Sequence, residues 1–160
     1  MPRIFWFLFA AMLAAWMNMN LWTVPRIEEL AGGLRLLDMR FTGYSYEEAQ
    51  IFIATIGDNG AELYLGAQYW LDMVFPPLLG AVLFLLYRWL YQGMLGLFVG
   101  TVSLSYVVAD ILENLAVATM LQAGADRMTA EMAATANQWT TMKWSLSVIG
   151  LAMLIIGIIQ

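Results

Sequence analysis

The stretch LGLFVGTVSLSYVVADILENLAVATML, residues 95–121, decides the fold. It can cross a hydrocarbon core of ~30 Å as a helix, and only Asp110, Glu113 and Asn114 interrupt its strongly apolar character. In lipid, backbone N–H and C=O groups must bond within their own segment, and a run this long and uniform does not alternate like a barrel strand. It therefore reads as a transmembrane helix.

Working outward, three further stretches behave alike: residues 4–23, residues 61–91, and residues 137–160 with Lys143 near the start. The first is too long for a signal-peptide core, and Val24-Pro25 offers no small-residue cleavage site. In the second, Pro76-Pro77 should kink or divide the helix. Trp22, Tyr69, Trp70 and Trp139 fall at one set of ends, and Phe5, Trp6, Trp89 and Tyr91 at the other. The predicted fold is all-α: one integral membrane domain over residues 1–160, a four-transmembrane-helix up-down bundle.

Composition agrees. The 160 residues are 62% hydrophobic and 12% charged, against roughly 45–50% and about 25% in soluble domains. A net charge of −5, without a basic cluster, argues against nucleic acid. Cysteine and histidine are absent, which removes disulfides, thiol chemistry, His-activated nucleophiles and most zinc or haem sites. No metal and no cofactor is expected.

Arg3 and Arg88 share an end that has no acidic residue. By the positive-inside rule both termini are expected in the cytoplasm of a bacterium, the protein lying in the inner membrane. Residues 24–60 then form an external helical lid. Val24-Pro25 resembles a helix start with Glu28 and Glu29 behind it, and Ile27, Leu30, Leu34 and Leu37 make an apolar stripe suited to lying on the membrane surface. Ser45-x-x-Glu48 predicts a capping box for a short helix to about Ile56, capped by Gly57 and followed by an Asp58-Asn59-Gly60 turn. The lid either shields helix ends or gates a cavity.

Asp110-x-x-Glu113-Asn114 is the sharpest candidate for chemistry. A carboxylate at mid-membrane costs about 2.5–3.5 kcal/mol, so two require partners. Gly96, Gly100, Ser103, Val107, Asp110 and Asn114 share one helical face, with Tyr106 and Glu113 on its flank. Glu113 lies about 12 Å inside the lid end of its helix and Lys143 about 9 Å inside its own, at matching depth. Asn18, Asn20, Asp72, Thr140 and Thr141 add polar groups to the same half, and Arg40 could hang over it. The candidate ligand-binding or ion-pair residues are thus Asp110, Glu113, Asn114, Lys143, Asp72, Asn18, Tyr106 and Arg40. The structural alternative is that Lys143 merely neutralises Glu113 while Asn and Thr side chains fix helix register.

The segments Leu37-Asp38-Met39-Arg40, Gly43-Tyr44-Ser45 and Glu47-Glu48-Ala49, with Tyr64, Leu71-Asp72 and Asp110-x-x-Glu113-Asn114, resemble uncharacterised bacterial four-helix integral membrane proteins across residues 36–121. That resemblance implies no activity, cofactor or site; it implies that lid, second helix and third helix act as one unit.

The function expected is non-enzymatic: binding a small amphipathic molecule, a lipid or an ion in an outward-facing polar layer, with membrane lipids as neighbours. One alternative is an accessory or assembly subunit of a larger membrane complex, docking through the Gly96/Gly100 face. An intramembrane acid–base enzyme is the third, with Asp110, Glu113, Asp72, Lys143 and Tyr106 as its only acids and bases.

Overall fold

The computed structural model describes residues 1–160 and contains no strand. Four helices are long and apolar enough to cross a membrane: α1 (Arg3–Leu30), α2 (Tyr46–Leu90), α3 (Gly93–Ala123) and α4 (Ala130–Ile159). They form an up-down bundle of a multi-pass membrane protein. Tyr91 and Gln92 alone join α2 to α3, and residues 124–129 join α3 to α4. Neighbours in sequence are neighbours in space: α1 packs along α2, α2 along α3 and α3 along α4, while α1 hardly touches α4.

Within the membrane half, small residues bring these helices together. A methyl group added at Gly100 would meet the Phe84 ring at 2.7 Å, and one at Gly157 would meet the Tyr91 ring at 2.8 Å. Gly96 is buried against the Tyr91 backbone, so the helix that approaches the Gly96/Gly100 face is α2 of the same chain. Tyr87 donates to the Gly150 carbonyl at 2.8 Å and Tyr91 to that of Met153 at 2.6 Å, tying α2 to α4. Leu97, Phe98, Leu104 and Val108 on α3, and Val148, Leu151, Ile155 and Ile158 on α4, face outward. Lipid, not protein, is their solvent.

The largest apolar core lies instead at the lid end. Ile27 and Ala31 of α1, Leu36, Leu37 and Tyr44 of the connection, and Phe52, Ile53 and Ile56 of α2 close on Val117, Met120 and Leu121 of α3 and on Ala133 and Ala136 of α4. Burial away from water stabilises such a cluster only outside hydrocarbon. Its position fits a lid bathed by water.

Several boundaries differ from those expected. Val24–Leu30 is not a surface helix but the continuation of α1, joined to it through a π-helical turn at Met19–Thr23. The wider turn admits Pro25 without breaking the helix. The chain then ends α1 at Ala31, where the Gly33 N–H reaches back to the Glu28 carbonyl at 2.8 Å. A 3-10 turn, Leu37–Met39, follows.

The Ser45/Glu48 capping box forms as expected, with the Ser45 N–H donating to the Glu48 carboxylate at 2.7 Å. Gly57 breaks the helical path with φ 62°, but Asp58–Gly60 are the first turn of the next helical run, not a separate turn. The membrane-crossing part of α2 thus begins near Asp58. It is not divided at Pro76-Pro77; its pitch changes earlier, in a second π-helical stretch at Tyr64–Gln68. Finally, α4 begins at Ala130 under a Thr129 cap, two turns before expected residue 137, because Ala133 and Ala136 pack under the lid rather than against lipid.

Candidate functional site

Asp110 and Glu113, one turn apart on α3, face Thr140 and Lys143, one turn apart on α4. The Lys143 ammonium pairs with Glu113 and lies 3.6 Å from Asp110. The Thr140 hydroxyl donates to the other Glu113 oxygen at 2.5 Å, and Glu113 has no exposure at all. Tyr106, one turn before Asp110, donates its phenol hydrogen to that carboxylate at 2.5 Å. Helical spacing explains each contact: residues three and four apart share a face.

A second branch joins α1 and α2. The Thr23 hydroxyl donates to the Gln68 side-chain carbonyl, and the Gln68 amide donates to Asp72 at 2.7 Å. Thr23 and Gln68 each end one of the two π-helical stretches. Asp72 also offers a backbone acceptor. Pro76 has no N–H to return to the Asp72 carbonyl four residues earlier, and the Asn114 amide of α3 fills the gap at 3.0 Å. Asn114 is therefore explained by a proline on another helix.

The lid supplies the third branch. Asp38, buried in the 3-10 turn, accepts the Tyr64 hydroxyl at 3.0 Å, and its carbonyl accepts the Trp144 indole N–H at 3.0 Å. Tyr44 inserts from the lid; its backbone N–H donates to the Asn137 amide oxygen at 2.8 Å. Its buried hydroxyl lies near Thr140 yet makes no hydrogen bond. Burial, reinforced by the charges of Glu113 and Asp38, pushes that hydroxyl above the usual tyrosine range.

The branches border a half-open cavity of about 160 Å³. Asp38, Asp72, Asp110, Lys143, Gln68 and Tyr106 give it a polar wall, and Trp16, Phe75 and Trp144 an aromatic one. Of the residues singled out from the sequence, Asp72, Tyr106, Asp110 and Lys143 meet here, with Glu113 and Asn114 tied directly to them. Two do not. Asn18 is exposed and donates to its own helix at the Ala14 carbonyl, 2.8 Å away. Arg40 turns back to the Arg35 carbonyl at 3.0 Å and sits over the Phe52 ring, 6.0 Å from its centre, rather than over the polar layer. Its neighbour Asp38 enters instead.

Asp38, Gln68, Thr23, Trp16 and Trp144 were not foreseen as site residues. For Gln68 the signal was its spacing four residues before Asp72; for Asp38 it was the apolar pair Leu36-Leu37 beside it. No family model, curated protein or solved structure matches this chain.

Proposed function

We propose that this is a non-enzymatic membrane protein that binds a small amphipathic molecule, lipid or ion in the lid half of its bundle. One observation carries the reading: the polar side chains of the bundle and the lid, bonded to one another, still leave a cavity between them. A cluster serving only helix register would pack dry, because each intramembrane carboxylate gains from direct partners. Asp72 and Asp110 each hold a donor and still border open space. Such held carboxylates suit recognition better than proton abstraction.

The same proposal sets the protein in a bacterial inner membrane, termini cytoplasmic and lid outside. Arg3 and Arg88 at the end opposite the lid support it. A reporter active only outside the membrane, fused after Gln160, should stay inactive; activity would reverse the orientation.

Filling the cavity tests the binding role. Ser147 borders it from α4, and Ser147→Trp should occupy the space. Purification in mild detergent followed by extraction and mass spectrometry should find an amphiphile with the wild-type chain that the variant lacks. Identical extracts from two folded proteins would refute the reading.

A further inference from the structure

Carboxyl groups outnumber cationic side chains around the cavity. Asp38, Asp72 and Asp110 line it, while its single ammonium, Lys143, is shared between Asp110, 3.6 Å away, and Glu113 behind the wall. Carboxylates in a low-dielectric layer are costly without a counter-charge. A bound cation would supply one. A bare metal ion does not fit, because no three acidic side chains converge closely enough to ligate it. The counter-charge must be broader.

The rest of the wall says what kind. Trp16, Phe75, Tyr106 and Trp144 line the cavity, and aromatic faces attract ammonium groups, as the Lys143 ammonium 5.9 Å from the centre of the Trp144 ring illustrates. A volume of about 160 Å³ suits a compact organic group; apolar cavities of roughly 150 Å³ hold benzene. Beside it lies a second chamber of about 190 Å³, lined by α2, α3 and α4 with mostly apolar residues, five of them leucines of α2 and α4, and both chambers share Tyr106 and Ser147. The sparse contact between α1 and α4 leaves a lateral way in from the membrane.

We infer that the ligand is an alkylammonium compound, its cationic head among Asp38, Asp72 and Asp110 and its chain passing Ser147 into the leucine-lined chamber. The inference rests on the reading above that the cavity binds a ligand. An anionic head would meet three carboxyl groups and one occupied lysine; a neutral one would make no use of them.

Three probes of equal chain length separate these cases: hexylammonium, hexanol and hexanoate, added to the full chain in maltoside micelles at constant pH and ionic strength. Hexylammonium should raise the unfolding midpoint saturably, and the other two should not. Asp72→Asn and Asp38→Asn should each weaken its apparent affinity tenfold or more, so either variant suffices if the other fails to fold. Asp58→Asn, on the exposed surface, should leave it unchanged. Nanodiscs then separate two sources of the same chemistry. Competition by phosphatidylethanolamine, absent with phosphatidylglycerol, identifies a lipid headgroup; undiminished hexylammonium binding in both identifies a free amine. Stronger stabilisation by hexanol or hexanoate would overturn the cationic ligand and leave the cavity reading standing. No response to any probe in micelles or nanodiscs would overturn both.

Discussion

Glu113 is fully buried, so its charge depends on the Lys143 ammonium and the Thr140 hydroxyl. Glu113→Gln should destabilise strongly, by about 3–5 kcal/mol, because it strands a buried cation. Asp110→Asn should cost less, since Tyr106 can still donate to the amide oxygen and Lys143 keeps Glu113. Thermal unfolding in detergent should show the Glu113→Gln/Lys143→Met double variant recovering much of the single loss; strictly additive losses would disprove the coupling. Asn114 has a different dependence. Asn114→Leu should cost about 1 kcal/mol by leaving the Asp72 carbonyl bare, and Pro76→Ala should reduce that cost by restoring an intrahelical N–H. A rescue absent from the double-mutant cycle would mean that another group satisfies this carbonyl. Tyr44 offers a third case. Its hydroxyl makes no hydrogen bond, so Tyr44→Phe should be neutral or stabilising at pH 7. The folded-state value is raised, so its contribution is full below the unfolded value of about 10 and fades as pH climbs above it. Alkaline unfolding curves should therefore fall more steeply for the wild type than for Tyr44→Phe.

At the scale of elements, the lid is held by its cap and by one tight approach. Ser45→Ala should loosen the lid helix by about 1 kcal/mol through loss of the capping box. Gly43 is more sensitive. Its φ is 83°, and an added methyl would clash with the Asn137 side chain that anchors the Tyr44 N–H. Gly43→Ala should speed proteolytic cutting of residues 40–45 well beyond the effect of Ser45→Ala, as mass spectrometry of a timed digest would record. Equal rates would show that the Gly43 approach does not hold the lid. The capping box and the Gly57 break were legible because they are local: their partners lie within three residues. The continuation of α1 through Pro25 was not. A proline with acidic residues just behind it reads as a helix start unless a π-helical turn removes the clash, and the Thr23–Gln68 bond in that turn comes from another helix.

For the whole molecule, the decisive feature is that α1 closes on α2 but not on α4. The cavity at that opening should be reachable from outside the protein. The chain has no cysteine, so single thiols report cleanly. Ser147→Cys should react with a small methanethiosulfonate, whereas Val117→Cys, in the core beneath the lid, should stay protected. A cationic reagent should outpace an anionic one at position 147 by about tenfold or more, because the wall is acidic. Equal rates for the two would count against a carboxylate-lined entrance.

The sequence by itself determined the solvent and the class of fold. Runs of about twenty apolar residues have no other way to satisfy their backbone than as helices in lipid. It also brought Glu113 and Lys143 to one depth, since helical rise converts residue counts into distance. Only the tertiary structure decided which polar residues meet. Asp38 and Arg40 are two residues apart in a single 3-10 turn and its exit, and nothing local tells which of them turns inward. The Asp72 carbonyl and Asn114 lie on different helices, and their bond exists because Pro76 withholds a donor where α3 passes. Helix periodicity assigns each side chain to a face; which face looks into a cavity is set by how the four helices and the lid pack against one another.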